Sequence, residues 1–274
     1  MLFMITVGAT FLTHRSVAWF PAVFLGSIVF CLWSGLDALN NVFDADLDAI
    51  SDPSRARYTK SLGKSGLFIA IILVTLSSSL GIMTMVPLVI VFILLGIFFG
   101  ILYSVPPIRL RQTVFKPVVN FTVGAVPVLI VASFSSTFSV SIAFLALLIG
   151  VTTSVNSLWE DLGDYTSDFS SGARTIPIIL GLKRGLFFTV IAGYCLIPLM
   201  VFVGIVFQLH IIYYFIILLA TVFISLRLYR NRVILFKKGK ADTQKLLKLG
   251  DVLAKDFVIV ALIQTTSLMV SSVI

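Results

Sequence analysis

The sequence predicts an all-α integral membrane protein, and three features support this: composition, mean hydropathy and the recurrence of long apolar runs. Of its 274 residues, 59% are hydrophobic and only 12% are charged, and the mean hydropathy is +1.11. A water-soluble domain carries about 25% charged residues, so half that share excludes an ordinary soluble core. Apolar runs long enough to cross ~30 Å of hydrocarbon recur along the whole chain, which favours one membrane domain over residues 1–274.

About nine stretches of the sequence are candidate transmembrane helices. In chain order they are residues 1–12, 17–41, 65–83, 86–103, 117–135, 139–159, 185–207, 211–228 and 249–270. The first is short for a full span, and it lacks a basic leader and a small-residue cleavage site. We therefore expect a truncated or tilted first helix whose true start lies upstream.

The basic residues indicate the orientation of these spans. With nine spans, the loops after the even-numbered ones share one side of the membrane, and these loops with the adjacent helix ends hold 19 of the 20 Lys and Arg residues. By the positive-inside rule this face is cytoplasmic, with the N-terminus inside. The net charge of +8 is thus expected to meet membrane lipid or a phosphorylated substrate, not nucleic acid. A prokaryotic cell membrane is the expected location.

The carboxylates are concentrated in two places. Nine of the twelve Asp and Glu residues lie in residues 37–52 and 160–168. Each stretch directly follows a predicted span, the second and the sixth, so both are expected at the cytoplasmic face. Acidic side chains at membrane depth are costly and usually mark functional sites.

The spacing within the two stretches repeats, forming two sets that we call the ladders. The first ladder contains Asn40, Asp44 and Asp48, and the second contains Glu160, Asp164 and Asp168. Since four residues turn an α-helix by ~400°, each ladder shares one helix face, with its members ~6 Å apart. The second ladder follows the first by 120 residues at every position. This repetition predicts two groups of helices whose ends face each other across a central cavity near the cytoplasmic face.

The ladders and the basic residues near them suit one kind of ligand. Carboxylate and amide oxygens favour Mg²⁺, which proteins hold through one or two carboxylates plus substrate phosphate oxygens. A diphosphate bridging two Mg²⁺ ions, one per ladder, would satisfy both sets. Guanidinium groups pair with phosphate oxygens in a fork geometry. The candidate diphosphate-binding residues are Arg55, Arg57, Lys60, Arg109, Arg111 and Arg174. Solvated loop acids and membrane-flanking bases are the alternative, but they leave the repeated spacing unexplained.

At these positions the chain resembles the UbiA-type intramembrane prenyltransferases. The family carries N-x-x-x-D-x-x-x-D at the end of its second helix and D-x-x-x-D at the end of its sixth, which match Asn40, Asp44 and Asp48, and Asp164 and Asp168. Residues 103–111, YSVPPIRLR, are similar to the family segment Y-S-x-P-P-x-R-x-K, with Arg in place of the usual Lys.

The resemblance implies transfer of a polyprenyl group from an allylic prenyl diphosphate to a lipophilic acceptor, with release of diphosphate. The implied catalytic and metal-binding carboxylates are those of Asp44, Asp48, Asp164 and Asp168, with Asn40 assisting the metal and with Glu160, Asp161 and Tyr103 as further candidates. The acceptor stays open among aromatic quinone-type, ether-lipid and carotenoid precursors, because residues 51–66 depart from the family pattern where an Arg-Pro stretch and a Ser-Gly are common.

Two other classes of protein remain as alternatives. A cation transporter with acidic repeat helices is the first, although transporter acids usually lie mid-span on interrupted helices. A non-catalytic assembly or lipid-binding protein is the second, although the complete ladders argue against lost activity. We expect the enzyme.

Overall fold

The computed structural model describes residues 1–51, 53–236 and 243–272, with the side chains at positions 47, 48, 50, 51, 55 and 236 outside that description. Within these ranges the regular elements are fourteen α-helices and one short 3-10 helix. The prediction of an all-α membrane protein is confirmed.

The first half of the chain contains the longest helix and the first ladder. Its helices are α1 (Leu2–His14), α2 (Trp19–Ser51), α3 (Pro53–Leu62), α4 (Lys64–Met83), α5 (Pro87–Ser104) and α6 (Lys116–Phe134), with the 3-10 turn Leu110–Gln112 between the last two. The 33 residues of α2 extend for about 50 Å, well beyond the ~30 Å of hydrocarbon. The C-terminal part of α2, which carries the first ladder, therefore extends past the apolar layer.

The second half of the chain carries the second ladder on its first helix. Its helices are α7 (Val140–Gly163), α8 (Tyr165–Ser171), α9 (Ile176–Leu180), α10 (Leu182–Tyr194), α11 (Leu196–Phe207), α12 (Ile211–Arg230), α13 (Arg232–Phe236) and α14 (Thr243–Ser271). The seventh predicted span is occupied by α10 and α11 together, so the single helix expected there is interrupted at Cys195. The interruption arises because Pro198 has no N–H to donate to the Tyr194 carbonyl.

Seven helical segments in the described ranges are long and apolar enough to cross a membrane, and they match the second to eighth predicted spans. The first predicted span forms α1, which has only 13 residues. The last forms the 29-residue α14, whose N-terminal half carries several charged residues. A count of nine crossings therefore stays a prediction.

The interior of the bundle is formed by α2, α6 and α7, since 56% of the apolar window of each is buried, against 11% for α12. The helices α6 and α7 approach closely at Gly124, where an added Cβ would lie 2.5 Å from the Ile149 carbonyl oxygen. Ser154 Oγ donates a hydrogen bond across the same interface to the Pro117 carbonyl, at 2.7 Å. This contact fixes the start of α6 against the last turns of α7.

Three charged segments meet at one end of the bundle, which we call the charged end. They are residues 37–46 of α2, residues 109–116 before and at the start of α6, and residues 160–168 at the end of α7. Ion pairs from Arg109 and Arg111 to Asp44, and from Lys116 to Asp161, link the three segments.

A second inter-helix ion pair joins α12 to α14. The Arg227 guanidinium donates from Nε to Asp256 Oδ2 at 2.8 Å and from Nη2 to Oδ1 at 3.2 Å, and the Asp256 side chain is only 7% exposed.

Asp256→Asn should lower the thermal midpoint of the detergent-solubilised protein, because it removes a buried counter-ion from Arg227. We expect a loss of ~2 kcal/mol, below the full cost of breaking a buried pair because Arg227 is partly exposed. Asp251→Asn is the matched control, since its pair with Lys255 at 3.0 Å is solvent-exposed. Equal thermal midpoints for the two variants would contradict a stabilising role for the ion pair between α12 and α14.

Candidate active site

A central cavity of about 590 Å³ lies at the charged end, between α2, α5, α6 and α7. Its apolar wall includes Trp33, Leu36, Val119 and Val123. Its polar lining consists of Asp37, Asn40, Tyr103, Ser104, Arg111, Lys116, Asn120, Thr153, Asn156, Glu160 and Asp164. Members of both ladders thus face one cavity.

The first ladder is held by basic side chains that precede α6. Asp44 is fully buried, and its carboxylate forms ion pairs with both Arg109 and Arg111. Arg109 also donates to the Phe43 carbonyl at 3.1 Å. Because one carboxylate binds two guanidinium groups, the loop before α6 is fastened to α2.

The other members of the first stretch have different surroundings. Asn40 Oδ1 accepts a hydrogen bond of 3.1 Å from Ser104 Oγ, so α5 positions the amide at the cavity. Asp46 points to solvent with 92% of its side chain exposed and pairs with Lys60 at 2.7 Å. The side chain of Asp48 lies outside the described part of the chain.

The second ladder crosses a break between two helices. The first of these, α7, ends at Gly163, and Asp164 links it to α8 with φ −88° and ψ 6°. The helical hydrogen bonds nevertheless continue, from the Asp164 N–H to the Glu160 carbonyl and from the Asp168 N–H to the Asp164 carbonyl, both 2.9 Å. The four-residue spacing expected for a helix is thus kept through the break. Glu160 Oε1 accepts a hydrogen bond of 2.7 Å from Asn156 Nδ2.

Arg111 connects the two ladders electrostatically. Burial lowers the pKa of its guanidinium, while the carboxylates of Asp164 and Asp168 act in the opposite direction. Burial likewise raises the pKa of the Asp168 carboxyl above its ordinary value. Arg111 pairs with Asp44 beside the first ladder and lines the cavity with Glu160 and Asp164 of the second. Carboxylates from both ladders therefore act on one guanidinium group.

Lys116 and Asp161 form a buried ion pair beside the second ladder. Lys116 Nζ lies 2.6 Å from Asp161 Oδ1 and 3.6 Å from Glu160 Oε2. The Asp161 side chain is 1% exposed, and its Oδ2 has no hydrogen-bond partner among the described residues.

Sequence reasoning missed Lys116 and left Asp37 outside the ladders. Asp37 lines the cavity because it precedes Asn40 by three residues, a spacing that also returns to the same helix face. One sequence feature could have pointed to Lys116: it is a single cation at the first position of an otherwise apolar helix. Its partner on α7 could not be read from the sequence.

Several predicted diphosphate-binding residues lie away from the cavity lining. Arg57 is exposed, and its Nε donates to the Pro53 carbonyl on its own helix. Lys60 is engaged by Asp46 at the surface. The backbone N–H of Arg174 donates to the Gln112 carbonyl at 2.8 Å, which holds the segment after α8 near the loop before α6. The side chain of Arg55 is not among those described.

The donor atoms at the cavity fit a hard divalent cation. They are carboxylate and amide oxygens, which suit Mg²⁺, and Asp161 Oδ2 is a buried acceptor without a hydrogen bond. Among the described residues no three Asp, Glu, His or Cys side chains are already gathered as a metal cluster. The oxygen donors instead line the cavity from facing helices.

Comparisons with known proteins agree with this architecture. The model of the UbiA prenyltransferase family matches residues 1–247. A digeranylgeranylglyceryl phosphate synthase from Methanococcoides burtonii is 26% identical over 238 residues, which cover 86% of this chain and 82% of the relative.

Two solved structures share the fold. One, from a study of digeranylgeranylglyceryl phosphate synthase in membranes, aligns with a TM-score of 0.70 at 16% identity and covers 99% of this chain and 93% of that one. Another, a UbiA homologue from Archaeoglobus fulgidus bound to DMAPP and Mg²⁺, aligns with a TM-score of 0.65 at 14% identity and covers 94% and 93%.

Asp44→Asn should loosen the segment between α5 and α6, because two arginines lose their shared counter-ion. We expect faster hydrogen–deuterium exchange, by ~10-fold or more, at the amides of Arg109, Gln112 and Thr113, which form local turn hydrogen bonds. Asp46→Asn, two residues away but facing solvent, should leave that exchange unchanged. Unchanged exchange in Asp44→Asn would show that the loop does not depend on this pair.

Proposed function

The chain belongs to the UbiA prenyltransferase family and is a prenyltransferase, and we propose that it transfers a polyprenyl group from an allylic prenyl diphosphate to a lipophilic acceptor, releasing diphosphate with the help of Mg²⁺. One observation carries this proposal. Asn40 from the first ladder and Glu160 and Asp164 from the second line the same cavity, together with Arg111.

The charge balance of the cavity supports a requirement for divalent cations. Six described carboxylates lie at or beside it, those of Asp37, Asp44, Glu160, Asp161, Asp164 and Asp168, against three basic side chains, Arg109, Arg111 and Lys116. An anionic diphosphate would be repelled by this excess unless cations screened it. We propose two Mg²⁺ ions, held by Asn40, Asp44 and Asp48 and by Asp164 and Asp168. The Archaeoglobus homologue bound to DMAPP and Mg²⁺ supports the same ligand pair.

The basic side chains of the cavity would bind the leaving diphosphate. Arg111 lines the cavity, Arg109 shares its ion pair with Asp44, and guanidinium forks suit phosphate oxygens. Arg174 is close in the fold because its backbone N–H donates to the Gln112 carbonyl. As the allylic C–O bond breaks, negative charge grows on the diphosphate, and fixed cations stabilise that charge more than the charge of the bound substrate. When bound, Mg²⁺ would supply further charge stabilisation of this kind.

The apolar wall of the cavity would protect the allylic cation. Leu36, Val119 and Val123 line the space next to the acids and would exclude water once the donor is bound, and exclusion of water prevents hydrolysis of reactive intermediates. The acceptor nucleophile would then attack the allylic carbon and lose its proton.

The acceptor class is suggested by the Methanococcoides relative. That relative is a digeranylgeranylglyceryl phosphate synthase, which favours an ether-lipid precursor with a phosphate head over an aromatic quinone-type or carotenoid precursor. Within the atypical residues 51–66, Pro53–Leu62 forms α3, next to the first ladder along the chain. We expect sequence differences that depend on the acceptor to occur in this segment.

The charged end is proposed to face the cytoplasm of a prokaryotic cell, following the distribution of Lys and Arg. A cation transporter is disfavoured, because the chain belongs to a family of enzymes.

Asp164→Asn should reduce prenyl transfer by ~10²-fold or more, because a carboxylate that holds the metal against the leaving group would be lost. EDTA should have the same effect on the parent protein, and added Mg²⁺ should restore only the parent. The measurement is release of diphosphate from geranylgeranyl diphosphate in detergent. Asp46→Asn is the control, and because the Asp46 side chain faces solvent, this variant should lose little prenyl transfer. Full turnover in EDTA, or equal losses at Asp46 and Asp164, would rule out the two-ladder mechanism.

With labelled geranylgeranyl diphosphate and Mg²⁺, the protein should prenylate a glycerol-phosphate ether in preference to an aromatic acid or lycopene. The product is identified by mass spectrometry after extraction into organic solvent. If the protein preferred the aromatic acid or lycopene, the acceptor assignment would be overturned, but the proposal of prenyl transfer would stand.

A further inference from the structure

Lys116 is a buried cation on the cavity wall that the ladders and arginines do not account for. It is the first residue of α6, its side chain is 6% exposed, and it lines the cavity with Glu160 and Asp164. Its Nζ is 2.6 Å from Asp161 Oδ1.

Stability alone gives little reason for a charge at this position. Removing a lysine from water is costly, and a buried ion pair is often no more stabilising than apolar side chains of the same volume. The α6–α7 contact is already close at Gly124 and bridged by Ser154. If the ion pair served only to join α6 and α7, apolar residues could take its place, since most of the interface between these helices is apolar.

The ammonium group also has hydrogen-bonding capacity beyond Asp161. It carries three N–H donors, and one is used in the 2.6 Å bond to Asp161. The next carboxylate oxygen, Glu160 Oε2, is 3.6 Å away, which is beyond a normal hydrogen bond. A ligand oxygen in the cavity could therefore be bound without breaking the pair with Asp161.

The distribution of cations around the cavity gives Lys116 a distinct place. Arg109 and Arg111 reach Asp44 on α2, whereas Lys116 is held against α7, beside the second ladder. An anion spanning the cavity would meet the Arg111 guanidinium, which is held at Asp44, and this ammonium, which is held at Asp161.

We propose that Lys116 binds a non-bridging oxygen of the donor's diphosphate, and that Asp161 positions the ammonium group for this contact. The inference rests on the proposed function, since it assigns a further ligand to the same diphosphate. It distinguishes two roles for Asp161 and its neighbours: Asp161 holds the lysine, while Glu160 and Asp164 remain directed to the cavity.

The test compares Lys116→Met with the double variant Lys116→Met/Asp161→Asn in the full-length, detergent-purified protein. The probe is inorganic pyrophosphate with Mg²⁺, titrated by calorimetry, and the thermal midpoint is measured in parallel. The single variant leaves Asp161 without its counter-ion and should melt earlier than the parent, whereas the double variant removes both charges and should recover most of the midpoint.

Pyrophosphate affinity should fall about 10- to 100-fold in both variants, the loss expected for one hydrogen bond to a charged group. Recovery of affinity together with the midpoint in the double variant would overturn the inference, because it would show that Lys116 serves only to pair with Asp161. If the double variant does not melt as a folded protein, Lys116→Gln/Asp161→Asn replaces it, since two amides can hydrogen-bond to each other. Lys255→Met, at an exposed lysine paired with Asp251, is the control and should bind like the parent.

The parent protein separates this inference from the proposed function. If the parent does not bind pyrophosphate with Mg²⁺, the diphosphate donor itself is contradicted, and the role of Lys116 falls with it. If the parent binds and the double variant binds equally well, only the role of Lys116 is overturned.

Discussion

Mutual repulsion among carboxylates at the edge of an apolar bundle is the constraint on which the rest of the structure depends. Six described acids lie at or beside one cavity and are accompanied by half as many basic side chains. Like charges this close disfavour one another's ionisation, and burial adds to the effect. Buried ion pairs reduce part of this repulsion: two guanidinium groups contact Asp44, and one ammonium group contacts Asp161. The remaining excess of negative charge is what suits the site to divalent cations.

The helices that deliver these charges are shaped by the same requirement. The length of α2 lets its apolar part cross the membrane while its last turns carry Asn40 and Asp44 beyond the apolar layer. Close packing at Gly124 lets α6 and α7 meet so tightly that Lys116 reaches Asp161. Asp164 ends one helix and begins another without loss of the four-residue hydrogen bonds. The acids are thus held on rigid elements, and the lipid-facing helices around them serve mainly to exclude water.

Arg111 couples the two ladders electrostatically. It is paired with Asp44 and lies in the field of Asp164 and Asp168, so a change at either ladder acts on the same guanidinium. In the proposed reaction, a diphosphate would offer new oxygens to this arginine at the moment when a metal needs the carboxylate of Asp44. Binding of donor and metal would then support each other, since the diphosphate would release Asp44 from Arg111 and the metal would release Arg111 from Asp44.

The sequence by itself determined the membrane class, the approximate positions of the second to eighth spans and the two ladders, because apolar run length and four-residue spacing are local properties of a chain. Asn40, Glu160 and Asp164 were found at the cavity for that reason. Only the tertiary structure decided which charges meet. Lys116 and Asp161 lie 45 residues apart, and Arg111 is brought to Asp44 by the packing of α5 and α6 against α2. Lys60, although close to the first ladder along the chain, is paired with the solvent-facing Asp46. Pairing of charges depends on distance in space and on burial, and neither is encoded in the spacing of residues along one helix.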